Sequence, residues 1–192
     1  MSSTLKVQNI AHTGGTNALA IDSAGIVDLS VNNNITIFTL TTTTNITSST
    51  PSTITGWTQL NNQNTFGFKQ VGTAMTESSG FFTTSKLGVY RVEAEVHYYR
   101  ASSPGARYNQ IDLMFTPNGQ SEVGNDIYDN VPYTNSDYTY NLANRLRYYN
   151  FNHANDKVRL RIGTSNNITI KAGGGSEYDT QIMFTWVAPP VA

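Results

Sequence analysis

Cysteine does not occur in the 192 residues. Its absence excludes disulfides, thiolate-bound metals and cysteine nucleophiles, so robustness outside a cell would have to come from packing and subunit assembly. Charge is scarce: Asp, Glu, Lys and Arg make up 13% of the chain, and 12 basic against 13 acidic residues leave a formal net charge of -1. With no net positive field, general attraction to nucleic acid or to an anionic membrane is not expected. There is no run of roughly 18 apolar residues, the length a membrane-spanning helix needs, so no membrane insertion is expected. The opening MSSTLKVQNIAHTGG lacks the charged head and apolar run of a secretory signal. Helical periodicity is missing too, because no stretch of helix-forming length repeats its apolar residues every three to four positions.

What is present is aromatic and β-prone. Eleven Tyr, eight Phe and two Trp stand in a chain that is 38% hydrophobic, which gives it far more to bury than a disordered segment has. Thr, Asn, Ser and Gly fill most of the rest, the make-up of a turn-rich β protein with an uncharged polar surface.

Residues 1–29 read as a small β leader of three short strands. Leu5, Val7 and Ile10 precede a turn at Gly14-Gly15, Leu19 and Ile21 follow, and Asp22 to Gly25 turn the chain again before Ile26. Residues 30–56 are Thr- and Asn-rich. Ile35, Ile37, Phe38 and Leu40 support a strand, but the run up to Pro51 has few large groups to pack. The expectation is an extended, partly paired connector, with a flexible Ser/Thr linker as the alternative.

Residues 57–192 alternate clearly. In GVYRVEAEVHYYR, Tyr90, Val92, Ala94, Val96 and Tyr98 share one face while Arg91, Glu93, Glu95 and His97 share the other, the two-residue period of a half-buried antiparallel strand. Ile111, Leu113 and Phe115 repeat it, as do Tyr138, Tyr140, Leu142, Leu146 and Tyr148, then Val158, Leu160 and Ile162, and last Ile182, Phe184 and Trp186. Many antiparallel strands in a segment this short pack most economically as two sheets. The long polar excursion from Asn118 to Asp137 suits a jelly-roll sandwich better than an immunoglobulin-like one.

The order Gly88-Val89-Tyr90-Arg91-Val92, then Asp156-Lys157-Val158-Arg159-Leu160-Arg161-Ile162, then a Gly-rich turn and a closing aromatic strand, resembles the globular C1q and tumour-necrosis-factor-like jelly roll over Trp57 to Val187. The resemblance implies a tight homotrimer around an aromatic and aliphatic axis. The opening, Leu5 to Ile10 and Ala20 to Val27, is similar to the leader of many tail-fibre and other virion proteins of marine bacteriophages. That similarity implies a virion location, with the leader docking on capsid or tail proteins or starting a stem. The chain lacks the Gly-X-Y stalk of secreted C1q proteins.

Candidate sites follow from these features. The Tyr excess points first to a subunit contact, since Tyr suits surfaces that are apolar at one end and wet at the other. Tyr98, Tyr140, Tyr148, Phe184 and Trp186 are the expected trimer-interface residues, with plain core packing as the alternative. Tyr128 and Tyr133, in predicted loops, are candidates for stacking on a sugar of a host-surface glycan. Glu93, Glu95 and His97 share a strand face and so raise the idea of a metal or acid–base cluster. A polar face pairing with Arg91, or with Arg159 or Arg161 on a neighbouring strand, is the simpler reading.

Lys157, Arg159 and Arg161, with Arg145 and Arg147, form a basic strip expected to pair with acidic residues between subunits. Glu122, Asp126, Asp129, Asp137, Glu177 and Asp179 in predicted loops offer oxygen ligands. Their spacing does not match the helix-loop-helix calcium motif, so Ca²⁺ rests on the C1q resemblance and turn capping is the simpler role. No nucleophile motif or phosphate loop is present. The expected function is that of a non-enzymatic, homotrimeric phage virion structural protein without a cofactor, either a capsid decoration or head fibre or a small tail appendage. A tail-fibre receptor-binding protein and a free carbohydrate-binding module are the alternatives.

Overall fold

A computed structural model describes residues 9–11, 17–21, 27–28, 34–60, 70–100, 106–124, 128–131, 139–172 and 180–191. Strands β1 (Asn9–Ala11), β2 (Asn17–Ile21) and β3 (Val27–Asp28) form an antiparallel sheet in that order. The turns expected between them lie outside the described residues.

Two seven-stranded antiparallel sheets follow. The first contains β4 (Ile35–Leu40), β5 (Thr44–Ile46), β7 (Trp57–Gln59), β10 (Gly88–Arg100), β14 (Thr139–Phe151), β16 (Ile168–Ile170) and β17 (Gln181–Ala188). Its centre is β10, which pairs along its whole length with β14 on one side and with β17 and β16 on the other, while β4 and β7 continue beyond β17. The second contains β6 (Ser52–Thr53), β8 (Thr76–Ser78), β9 (Phe81–Thr83), β11 (Ala106–Thr116), β12 (Val123–Gly124), β13 (Tyr128–Val131) and β15 (Lys157–Thr164). Here β11 and β15 are the long central pair.

The sheets face each other across a core of the alternating residues. Tyr90, Val92, Val96 and Tyr98 of β10, Ile182 and Phe184 of β17, and Val158, Leu160 and Ile162 of β15 are all fully buried. Aromatic rings stitch the middle together, with Phe82 lying 4.9 Å from Phe38 and 5.0 Å from Phe184 between ring centroids. Tyr90 closes one end of the core. Its hydroxyl donates to the Lys86 carbonyl (2.9 Å) and accepts from Asn34 Nδ2 (3.1 Å).

Two sequence-based boundaries change. Residues 30–56 are not a connector, and the sandwich does not begin at Trp57. Strand β4 pairs with β17 in the middle of the first sheet, β5 pairs with β16, and β6 pairs with β15 in the second sheet. Phe38, Leu40, Ile46 and Ile54 supply buried core groups, and the buried Thr36 hydroxyl accepts the Met75 amide (3.2 Å). The physical reason is that Thr is β-branched and keeps the backbone extended, so few large side chains suffice when neighbouring strands complete the hydrogen-bond ladder.

Candidate functional site

The register of β14 decides what the molecule shows to solvent. Residues directly opposite one another in an antiparallel pair share a face. The pairs Tyr90 with Tyr149, Val92 with Arg147, Ala94 with Arg145 and Val96 with Ala143 therefore bring the odd residues of β14 to the side on which β10 is buried. Tyr149 stacks on Phe115 at 5.0 Å and donates its hydroxyl to the Leu113 carbonyl (2.7 Å), and burial pushes its pKa up to about 12. The even residues are left outward: Leu142, Leu146 and Tyr148 are 43%, 39% and 59% exposed.

This apolar stripe borders a shallow groove. Glu93 pairs with Leu146 on one side and Met183 on the other, and Met183 pairs with Ile37. These four residues, with Glu95 and Gln181, line a depression of about 370 Å³ on the outer face of the first sheet.

The charges beside the groove are organised along β10. Arg91 Nη2 donates to Glu93 Oε1 (2.6 Å), His97 Nε2 lies 2.9 Å from Glu95 Oε1, and Gln181 Nε2 donates to Glu95 Oε2 (2.9 Å). Burial pushes the Glu95 carboxyl up, but the hydrogen bonds from Gln181 and His97 and the His97 charge outweigh it and hold its pKa below the ordinary value. Glu93, Glu95 and His97 thus form a hydrogen-bonded strand face. Among the described residues no three His, Asp or Glu side chains gather as a metal site would require.

The expected pairing of this face with Arg159 or Arg161 does not occur within the subunit, because both arginines lie in the second sheet. Arg159 Nε and Nη2 donate to the two Glu122 oxygens, each at 2.6 Å, and Arg161 Nη2 donates to Asp112 Oδ2 at 3.1 Å. Glu122, considered as a calcium ligand, is thereby engaged by arginine. The side chain of Asp129 and all of Asp126, Asp137, Glu177 and Asp179 lie outside the described residues.

The interface candidates divide. Tyr98 and Phe184 are 0% exposed and belong to the core, so they are not available to a partner subunit; they share parity with Val92 and Ile182, and that parity faces the second sheet. Trp186 packs on the core edge, where its indole donates to the Leu87 carbonyl (3.1 Å) and Lys86 lies 4.4 Å over its ring. Tyr148 points outward. Tyr140 pairs with Tyr99 through the backbone, and its side chain lies outside the described residues, as does that of Tyr128. Tyr133 is outside them altogether. Leu142 and Leu146, which lie on the outer face with Tyr148, were read from the sequence as strand residues only. Their shared parity with Tyr148 was the available signal.

No protein-family model matches the chain, and comparison with curated proteins found no match. Solved structures do match. Murine APRIL at pH 8.5 superposes with a TM-score of 0.56 at 12% identity, covering 81% of this chain and 99% of that one. The Eiger TNF from S. frugiperda gives 0.57 at 14% identity, covering 84% and 96%. The globular domain of zebrafish complement 1qA gives 0.47 at 12% identity, covering 82% and 99%. The chain has the all-β, antiparallel jelly-roll fold of the tumour-necrosis-factor type.

Proposed function

We propose that the chain is a non-enzymatic, homotrimeric structural protein of a bacteriophage virion. The three-stranded leader docks on capsid or tail proteins, and the jelly roll stands out from the particle as a decoration, head fibre or small tail appendage facing the host surface. The observation that carries the assembly is the outward stripe of Leu142, Leu146 and Tyr148 on a 13-residue strand. Contiguous apolar surface of this kind marks interaction sites rather than free surface. The C1q/TNF resemblance implies three copies, and the leader resemblance carries the virion assignment.

Light scattering on the full chain tests the assembly. A threefold subunit mass is expected for the wild type, and a lower mass is expected for Leu146→Lys, which places a charge in the middle of the stripe. A monomeric wild type would overturn the homotrimer. Mass spectrometry of purified virions from a phage carrying the gene tests the location, and absence of the chain from intact particles would overturn that part.

A further inference from the structure

Strand β14 lies at a corner of the sandwich. Its even residues belong to the outer face, while its odd residue Arg147 points to the flank between β14 and β12. There Arg147, Val123, Gly124 and Tyr149 line a hollow of about 200 Å³, and Val123 is 54% exposed. Arg147 Nη1 donates to the Leu146 carbonyl at 2.8 Å, and among the described residues no carboxylate pairs with its guanidinium. Arg159 and Arg161 are already taken up by Glu122 and Asp112. The flank is thus basic and partly apolar.

The outer face is its complement. It carries Glu93 and Glu95 beside Leu146, Met183 and the groove, with one Arg91 offsetting one of the two carboxylates. If this face packed on its own copy, Glu93 and Glu95 would meet like charges in a desolvated contact, which is unfavourable. If the face packed on the flank of another copy, acid would meet base and Val123 would find an apolar partner. A contact between two different patches is head-to-tail. It leaves one face and one flank unfilled until the ring closes, as it does in a cyclic trimer.

Resting on the homotrimer proposed above, we infer that the outer face of each subunit receives the flank of the next, with Arg147 set against Glu93 and Glu95 across the contact. The partner at this surface is therefore a second copy of this chain, bound by charge and apolar complementarity between two distinct patches.

The test uses the full chain as wild type, Arg147→Glu, Glu93→Arg and the double variant, with sedimentation velocity over a dilution series and circular dichroism to confirm folding. Each single reversal is expected to raise the trimer dissociation constant by roughly tenfold or more, and the double variant to recover most of it. The neutral pair Arg147→Gln and Glu93→Gln provides a second measurement should a reversal fail to fold. Wild-type assembly is expected to weaken with added salt, and that of either Gln variant to weaken less. A wild-type trimer whose single reversals keep its dissociation constant, or whose double variant is no better than the worse single, overturns this pairing and leaves the homotrimer standing. A wild type that is monomeric overturns both.

Discussion

Phe184→Ala is expected to destabilise the subunit itself, whereas Tyr148→Ala is expected to act only where subunits meet. Phe184 is 0% exposed, its ring lies 5.0 Å from that of Phe82 and 6.2 Å from that of Phe38, and its backbone is held between Val92 and Thr36. Truncation leaves a cavity ringed by side chains from three strands of one sheet and the facing sheet, with little freedom to collapse. A buried Phe→Ala change of this kind costs about 3–5 kcal/mol. At this chain length that corresponds to a melting temperature lower by about 6–20 °C.

Tyr148 is 59% exposed. Its truncation in an isolated subunit should stay within about 0.5 kcal/mol of wild type. Urea unfolding followed by circular dichroism reads the first effect when run dilute enough that assembly does not contribute to stability. Light scattering at high concentration reads the second. If Phe184→Ala kept the wild-type unfolding midpoint while lowering the solution mass, Phe184 would belong to a subunit contact, and the assignment of the buried face would be wrong.

Acid sensitivity should trace to Glu122. Burial pushes its carboxyl up, but the hydrogen bonds and charge of Arg159 and the charge of Arg161 outweigh this and hold its pKa below the ordinary value of 4.5. The folded state therefore favours the carboxylate. The stability it contributes is full above that ordinary value and is lost as pH falls through it toward the lower folded pKa. The urea midpoints of wild type and Glu122→Gln should differ at neutral pH and converge on acidification, and a gap that stayed constant would refute the linkage. Asp156 is 2% exposed and accepts three backbone amides, from Asn118 (2.7 Å), Asn152 (2.6 Å) and His153 (2.9 Å). Asp156→Ala should cost about 2–4 kcal/mol in urea unfolding because it strands these donors, and an unchanged midpoint would show that the turns find other partners.

Strand β10 could be read from the sequence because its two faces differ in kind: Tyr90, Val92, Ala94, Val96 and Tyr98 against Arg91, Glu93, Glu95 and His97. The same contrast made β15 and the end of β17 legible. Strand β14 could not be oriented this way, since both of its faces carry apolar groups. Its even side, with Leu142, Leu146 and Tyr148, reads as the more buried, and its odd side carries Arg145 and Arg147. The Thr-rich stretch failed for the opposite reason: its contribution to the core is spread thinly over Phe38, Leu40, Ile46 and Ile54, and the partners that make it a strand lie more than a hundred residues away in β15, β16 and β17.

Strand alternation and turn chemistry are local properties, and the sequence by itself determined the all-β character, the leader separated from the sandwich, and the core face of β10. Which face of β14 turns outward was decided only by the tertiary structure, because backbone pairing with β10 forces its odd residues to share the buried side. That register placed Leu142, Leu146 and Tyr148 on the surface and Arg147 at the corner beside them. It also moved Tyr98 and Phe184, indistinguishable in the sequence from interface aromatics, into the core.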